Sequence, residues 1–159
     1  MKATDLTKTL AQILASRNWT VSLAESCTGG LVCATLTELA GSSEWFERGY
    51  ITYSNEAKTE CLGVPAELIE VYGAVSEQVA KAMAEGARIN SGSNVAIAIT
   101  GVAGPSGGSA EKPVGTVCFG WATENQTLIK TMHFDGDRQM IRQQATEFAL
   151  TELIALLRS

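Results

Sequence analysis

The segment ESCTGG at residues 25–30 combines a potential nucleophile with a backbone that another group can approach closely. It stands between a short apolar run and the helix-like sequence LVCATLTELAG, so we expect a turn that leads into a helix. A serine in such a turn can act as a nucleophile, with neighbouring backbone N–H groups stabilising an oxyanion. Gly29 and Gly30 leave the backbone open to a ligand. The structural alternative is that Ser26 or Thr28 only caps the helix.

Cys27 offers a second nucleophile at the same turn, because a helix N-terminus can lower the pKa of a thiol. The segment lacks the GK[ST] ending of a Walker A loop and the GxSxG pattern of an α/β-hydrolase nucleophile elbow. Neither of those two classes is therefore supported, and Ser26 is the principal candidate nucleophile.

A serine nucleophile needs a base, and the sequence offers His133 or a lysine. His133, the single histidine, shares its predicted strand face with polar residues, so a solvated side chain is expected and a Ser-His-Asp triad is poorly supported. Lys58 lies about one turn into a predicted helix that follows the strand holding Tyr53. Burial or a nearby cation can lower a lysine pKa from about 10.4 toward neutrality, and Tyr53 can relay a proton or orient the amine. The plain alternatives are an exposed lysine and an ordinary strand tyrosine.

A glycine-rich loop and two arginines are the candidates for binding a substrate. The loop spans residues 100–113; loops this long without structure are uncommon unless functional, and glycine-rich backbone can form an anion-binding concavity. Arg138 and Arg142 lie one turn apart at the start of the final predicted helix, and arginine suits phosphate. The alternatives are a flexible surface loop and a solvated helix turn in which the arginines pair with Asp135 or Asp137.

Helices and strands alternate along most of the chain before a hairpin intervenes. Strands are predicted at residues 19–24, 48–54, 94–100, 114–122 and 127–134, and helices at 3–17, 31–41, 56–62, 65–72, 78–89 and from 135–137 onward. Gly41 is predicted to end the second helix and Asn55 to cap the third. The order predicts one three-layer α/β/α domain over residues 1–159, with a mixed, mostly parallel sheet and an antiparallel hairpin near the C-terminal end. Ligands bind beyond the carboxyl ends of strands in such sheets, so Ser26, the 100–112 loop and the segment after Tyr53 are expected to share a cleft.

The overall composition narrows the function further. The chain has 159 residues and a net charge of −5, with 6% aromatic residues, which disfavours a nucleic-acid binder that needs a basic face or stacking platforms. Four cysteines without a CxxC pair disfavour a zinc site and a disulfide framework. The N-terminal residues lack an apolar signal core, and the apolar runs are too short to cross a bilayer. A soluble, cytoplasmic protein is expected.

Several co-linear motifs resemble the CinA C-terminal domain family. They are AESCTGGL, TELAGSSEWFERGYITYSNEAK, GAVSEQVA, AITGVAGPSGGSAEKPVGTV and DRQMIRQQAT, and together they span roughly residues 5–157. The match is to the stand-alone nicotinamide-nucleotide amidohydrolase form (NMN deamidase). It implies hydrolysis of the carboxamide of nicotinamide mononucleotide to nicotinic acid mononucleotide and ammonia, in pyridine nucleotide salvage. It also implies no metal, no cofactor, and a homodimer or higher homo-oligomer.

The resemblance places the catalytic set on Ser26, Tyr53 and Lys58. Combined with the residues above, it predicts that neutral Lys58 takes the Ser26 proton directly or through Tyr53, and that amides of residues 27–29 stabilise the oxyanion. The expected substrate-binding residues are Cys27, Thr28, Gly29, Gly30, Thr100, Gly101, Arg138 and Arg142, with the ribose phosphate held by the loop and an arginine. Two other functions stay open: a serine amidase for another small amide, and a non-catalytic nucleotide-binding or interaction module.

Overall fold

A five-stranded sheet with helices on both faces carries these residues in a computed structural model that describes residues 2–159. The strands are β1 (Val21–Glu25), β2 (Phe46–Ile51), β3 (Val95–Gly101), β4 (Thr116–Ala122) and β5 (Thr127–His133). The helices are α1 (Ala3–Arg17), α2 (Leu31–Thr37), α3 (Asn55–Leu62), α4 (Ala66–Tyr72), α5 (Glu77–Ser91) and α6 (Arg138–Arg158), with a 3₁₀ turn at Ser42–Glu44.

The strand order is β2-β1-β3-β4-β5. Strand β1 pairs in parallel with β2 and β3, whereas β4 pairs antiparallel with β3 and β5. Within the described residues, β4 is the one strand that runs against the others. The predicted mixed, mostly parallel sheet with a C-terminal hairpin is therefore confirmed. Strands β3 and β4 are buried along nearly their whole length, which explains their largely apolar sequences.

Alternate residues of the central strands feed two hydrophobic clusters on opposite faces of the sheet. Leu23 and Ile97 join the cluster beneath α1, α2 and α6, whereas Ala24 and Ala98 join the cluster beneath α3, α4 and α5. This period of two is what a pleated strand imposes, and it produces the expected three layers. None of the helices described within residues 2–159 combines the length and the apolar character needed to cross a bilayer.

Several predicted element ends differ from the structure by two or more residues, and two of the three differences described here affect the site. Helix α2 ends at Thr37 with Glu38 as its C-cap, whereas Gly41, with a φ of +85°, lies in a turn in which the Ser42 amide bonds the Leu39 carbonyl and which leads into the 3₁₀ turn. Strand β2 ends at Ile51, so residues 52–54 form a loop instead of extending the strand. Helix α3 is capped by the Ser54 hydroxyl, which accepts a hydrogen bond from the Ala57 amide. Asn55, which was predicted to cap this helix, is its first residue.

Candidate active site

The segments that follow β1, β2 and β3 meet at a cleft of about 210 Å³. Residues that line this cleft are Ser26, Cys27, Tyr53, Asn55, Lys58, Ala74, Val75, Thr100, Gly101, Ala103 and Arg138. The cleft lies where the strand order predicts it, because the carboxyl ends of parallel neighbouring strands lie at one edge of the sheet. The connection between α4 and α5 and the first turn of α6 complete the lining.

A serine and a lysine are in direct contact inside the cleft. The Nζ of Lys58 lies 3.0 Å from the Oγ of Ser26, although the two residues are 32 positions apart. The side chains are almost fully buried, with 7% of Ser26 and 1% of Lys58 exposed. Lys58 shares the buried face of α3 with Leu62, one turn further on, which directs the amine inward.

Backbone carbonyls fix the amine in place. Lys58 Nζ donates to the carbonyl oxygens of Thr52 at 2.9 Å and Tyr53 at 3.2 Å, with the Ser54 carbonyl at 3.5 Å. A carbonyl oxygen only accepts hydrogen bonds, so the two shorter contacts use two N–H groups of the amine. The third substituent position on Nζ faces Ser26 Oγ. A charged ammonium would place an N–H there and donate to Oγ, whereas a neutral amine would place its lone pair there and accept a hydrogen bond from the serine hydroxyl. The arrangement can therefore transfer the serine proton to Lys58.

Burial also favours the neutral amine. The pKa of Lys58 is lowered from its ordinary value chiefly because the buried ammonium loses its hydration. A lysine that is neutral nearer to physiological pH can act as a general base, which an exposed lysine cannot. The alternative of an exposed helical lysine is therefore wrong.

Tyr53 contacts Lys58 through its backbone and not through its phenol. The Tyr53 hydroxyl accepts a hydrogen bond from Arg138 Nη2 at 3.3 Å, and 61% of the residue is exposed. Because the loop after β2 turns the Tyr53 carbonyl toward the amine, the side chain extends to the rim of the cleft. The hypothesis that the phenol orients the lysine is corrected accordingly. Arg138 is held at the rim by a second bond, from Nη1 to the Gly104 carbonyl at 2.8 Å.

The turn after β1 is anchored by a residue to which the sequence analysis gave no role. The buried carboxylate of Glu25 accepts hydrogen bonds from the amides of Gly30, Val32 and Cys33 at 2.9–3.1 Å. It thereby satisfies the first amides of α2, so the idea that Ser26 or Thr28 caps this helix is wrong. The signal was present in the sequence, because acidic side chains favour the N-terminal end of a helix.

The same turn restricts which amides can stabilise an oxyanion. The Gly29 amide donates to the Ser26 carbonyl at 3.0 Å, and the Gly30 amide binds Glu25, so the expected contribution of Gly29 is corrected. Within residues 2–159, no backbone or side-chain oxygen accepts from the amides of Cys27 and Thr28. Cys27 lines the cleft, whereas Thr28 is fully buried and does not, so the Cys27 amide is the candidate donor.

Arg142 does not contact the cleft in the way its position in the sequence suggested. Its Nε donates to the Cys27 carbonyl at 3.1 Å, and its Nη2 donates to the Thr28 carbonyl at 2.9 Å. The guanidinium is thus engaged with backbone and does not line the cleft, so its contact with a substrate phosphate stays a prediction without support from this geometry. Neither Arg138 nor Arg142 is ion-paired with Asp135 or Asp137 among the described residues, so that alternative is wrong. The Asp137 carboxylate accepts from the Met140 amide and caps α6.

The residues after β3 form one wall of the cleft. The Thr100 hydroxyl donates to the Ala74 carbonyl at 2.9 Å, which ties β3 to the connection between α4 and α5. A side chain at Gly101 would meet the backbone of β4, since a Cβ there would lie 2.8 Å from the Thr116 carbonyl oxygen. Thr100 and Gly101 therefore shape the wall, and the Thr100 oxygen can still accept a hydrogen bond from a ligand.

Comparison with known proteins identifies the family. A model of the CinA C-terminal domain matches residues 3–157. The chain belongs to the CinA C-terminal domain family. It is 50% identical over 147 residues to "Nicotinamide-nucleotide amidohydrolase PncC" of Enterobacter agglomerans, covering 92% of this chain and 90% of that protein. The protein of the same name from Escherichia coli K12 is 50% identical over 149 residues, with coverage of 93% and 90%.

Other members of the family are much longer than this chain. A "CinA-like protein" of Syntrophobacter fumaroxidans is 51% identical over 152 residues, which is 96% of this chain but 36% of that protein.

Solved structures of similar length have the same fold. The crystal structure of the competence damage-inducible protein A from Klebsiella pneumoniae superposes with a TM-score of 0.96 at 39% identity, covering 99% and 98% of the two chains. The protein CihA of Agrobacterium tumefaciens gives a TM-score of 0.95 at 45% identity, with coverage of 99% and 96%.

Two further side chains of this CinA-family chain can now be placed. Burial raises the pKa of the Cys27 thiol to about 12, so it is protonated at neutral pH and a poor nucleophile. His133 is exposed on β5, at the edge of the sheet, as expected. Among the described residues there is no group of three or more His, Cys, Asp or Glu side chains placed to hold a metal ion.

Proposed function

We propose that this chain hydrolyses the carboxamide of nicotinamide mononucleotide, giving nicotinic acid mononucleotide and ammonia in pyridine nucleotide salvage. The observation that carries the proposal is the buried contact of Lys58 Nζ with Ser26 Oγ at 3.0 Å, inside a cleft. Such a pair is suited to attack on an amide carbon. The choice of substrate rests on relatives at 50% identity and nearly full length that bear the name nicotinamide-nucleotide amidohydrolase.

The first half of the reaction forms an acyl-enzyme. Neutral Lys58 takes the Ser26 proton as the serine oxygen bonds to the amide carbon, and negative charge moves to the former carbonyl oxygen. The amide of Cys27 donates to this oxyanion; such a donor is typically worth about 2.7–4 kcal/mol. The ammonium of Lys58 then returns its proton to the amide nitrogen, the C–N bond breaks, and ammonia leaves.

The second half releases the acid. Water attacks the nicotinoyl-seryl ester while Lys58, again neutral, takes a proton from it. The proton passes back to the Ser26 oxygen as the ester bond breaks, which restores the serine and yields the carboxylic acid; the acid then loses its proton to solvent and becomes the carboxylate of the product. The carbonyls of Thr52 and Tyr53 hold the amine in one place through both halves.

The rim of the cleft is the proposed position for the charged part of the substrate. Arg138 lines the cleft and carries a positive charge in a chain whose net charge is −5, so it is the group suited to attract a phosphate there. Tyr53 offers an aromatic surface beside it. Thr100 and Gly101 form the wall against which the rest of the substrate would lie.

We also propose the cellular setting that the sequence resemblance implies. The chain would form one domain and act in the cytoplasm as a homodimer or higher homo-oligomer, without nucleic acid or a membrane. Light scattering coupled to size-exclusion chromatography measures the assembly directly, and a monomer at micromolar concentration would contradict that part of the proposal.

The decisive experiment is incubation with nicotinamide mononucleotide, with the products identified by mass spectrometry and ammonia measured by a coupled assay. The wild-type chain should release both products, and Ser26→Ala should release neither while unfolding at the same temperature. Turnover by Ser26→Ala would remove Ser26 as the nucleophile. Release of ammonia only from other small amides would change the substrate. Thermal stabilisation by the nucleotide without any product would instead indicate a binding module.

A further inference from the structure

We propose that Arg142 is a positioning residue that sets the direction of the oxyanion-binding amide. This inference rests on the proposed function, because it concerns the same serine. The guanidinium does not line the cleft, yet two of its nitrogens hold consecutive carbonyl oxygens of the turn that follows Ser26. A side chain on α6 thus controls the backbone next to a nucleophile 116 positions earlier in the sequence, as counted from residue numbers 26 and 142.

The geometry of the peptide group links these carbonyls to the amides. A trans peptide is planar, with its C=O and N–H bonds on opposite sides of the chain. Arg142 Nε holds the Cys27 carbonyl at 3.1 Å, and Arg142 Nη2 holds the Thr28 carbonyl at 2.9 Å, which directs the Gly29 N–H of the same peptide to the opposite side. The Gly29 N–H bonds the Ser26 carbonyl at 3.0 Å, and this bond fixes the peptide that carries the N–H of Cys27, which lines the cleft beside Ser26.

The turn is therefore held from two sides by opposite charges. The Glu25 carboxylate on β1 accepts hydrogen bonds from the amides of Gly30, Val32 and Cys33, at the end of the turn where α2 begins. The Arg142 guanidinium donates to the carbonyls of Cys27 and Thr28, which lie nearer to Ser26. Between the two anchors, the amide of the cleft-lining Cys27 has no oxygen acceptor among residues 2–159. An amide without a partner beside Ser26 favours an acceptor that arrives with the reaction, such as an oxyanion.

The charge of Arg142 adds a second effect. A guanidinium bonded to a carbonyl polarises the whole peptide group and makes its N–H a stronger donor. Gly29 has a φ of +56°, which favours glycine at this position, and a Cβ there would be in ordinary van der Waals contact with Arg142 Nη2 at 3.6 Å. An uncharged side chain of similar length would lose this polarisation and one of the two bonds.

The test compares Arg142→Gln with Arg138→Gln, which removes the other arginine at the start of α6. Arg142→Gln should lower kcat for nicotinamide mononucleotide by about 100-fold, as expected for loss of an oxyanion donor, and leave KM nearly unchanged. Added guanidinium at millimolar concentration should restore part of the lost kcat. Arg138→Gln should show the reverse pattern, with KM raised and no response to guanidinium. A raised KM with normal kcat in Arg142→Gln, or normal values of both, would overturn the inference.

A second measurement keeps the inference independent of the substrate. A fluorophosphonate probe phosphorylates an activated serine through a transition state that also develops an oxyanion, so its rate of reaction with Ser26 reports the same amide. Arg142→Gln should slow this labelling by at least tenfold, and Ser26→Ala should abolish it. If the wild type labels but does not hydrolyse the nucleotide, the proposed function fails while the role of Arg142 is still measured. If the wild type does not label, Ser26 lacks the reactivity that this inference requires and the inference fails, whereas hydrolysis of the nucleotide still decides the proposed function. If Arg142→Gln does not fold, Arg142→Lys replaces it in both measurements. Its labelling rate should lie between those of the wild type and Ser26→Ala, and a rate equal to that of the wild type would contradict the inference.

Discussion

The backbone carbonyl of Tyr53 accepts a hydrogen bond from Lys58 Nζ at 3.2 Å, while the phenol of the same tyrosine bonds Arg138. One residue thus serves two parts of the cleft. Its carbonyl helps to hold the proposed base, and its ring lies at the rim where the substrate would enter. Because a substitution leaves the carbonyl in place, the two contributions can be separated by experiment.

Tyr53→Phe should have a small effect. The variant keeps the carbonyl and the ring and loses one exposed hydrogen bond, worth about 0.5–1.5 kcal/mol, so kcat/KM should fall by no more than about tenfold. Steady-state kinetics with nicotinamide mononucleotide measures this. A loss in kcat as large as that of Lys58→Ala would show instead that the phenol itself moves the proton, and the direct transfer from Ser26 to Lys58 would be wrong.

The rate of hydrolysis should depend on the protonation of Lys58. Only the neutral amine can accept the Ser26 proton, so kcat/KM should rise with pH and level off above the lowered pKa of this lysine. Below that pKa the rate should fall about tenfold per pH unit. Lys58→Arg is the matched control, because arginine stays charged and should be inactive at every pH. A flat profile well below neutrality would exclude a lysine base.

The fold could be predicted largely from local patterns, and the errors have local causes. The apolar runs of β3 and β4 and the apolar face of α6 are long enough to identify their elements. The predicted end of α2 was wrong because the chain leaves the helix at Glu38 and forms a turn before the left-handed Gly41, which local residue types do not distinguish from a longer helix. Gly41 was placed at the helix end by its residue type alone.

The site could be predicted only where strand order determines it. Ser26 and Lys58 follow neighbouring strands at the same edge of the sheet, which brings them together. The contacts of Arg142 with the turn span 114 and 115 positions and depend on side-chain direction, so no local spacing indicates them. Arginine chemistry suggested a phosphate, whereas the nearest acceptors in the folded chain are backbone carbonyls.

Arg138→Gln should raise KM more than it lowers kcat. The arginine lines the rim of the cleft, about where the substrate phosphate is proposed, and it lies outside the Ser26–Lys58 contact. Loss of a charged hydrogen bond worth about 1.5–3 kcal/mol corresponds to a roughly 10- to 150-fold increase in KM. Arg158→Gln, at the exposed far end of the same helix, controls for the change in net charge. A normal KM in Arg138→Gln would place the phosphate elsewhere.

Glu25→Gln should destabilise the fold. The glutamine side chain is nearly the same size, but its NH₂ group would face a backbone N–H of α2 that now donates to the carboxylate. A buried donor left without an acceptor costs about 1–3 kcal/mol, and urea denaturation should show a loss of that order in the free energy of unfolding. Glu38→Gln, on an exposed residue just after α2, should cause no comparable loss. Equal stability of the Glu25 variant would contradict the capping role.

Lys58→Met should change how stability depends on pH. In the unfolded chain Lys58 is protonated up to its ordinary pKa of 10.5, whereas in the folded chain burial lowers that pKa. Between the two values the unfolded state binds more protons, so raising the pH stabilises the folded wild type, by at most about 1.36 kcal/mol per unit. Methionine does not titrate and removes this contribution.

The quantity to compare is therefore the slope and not the absolute stability, because Lys58→Met also leaves the Thr52 and Tyr53 carbonyls without the amine. Urea denaturation at several pH values should give a wild-type advantage that grows with pH up to about 10.5. Lys81→Met, which replaces an exposed lysine of α5, should keep a constant difference from the wild type. Parallel curves for wild type and Lys58→Met would mean that Lys58 titrates normally in the folded chain. The amine would then be charged at neutral pH, unable to accept the serine proton.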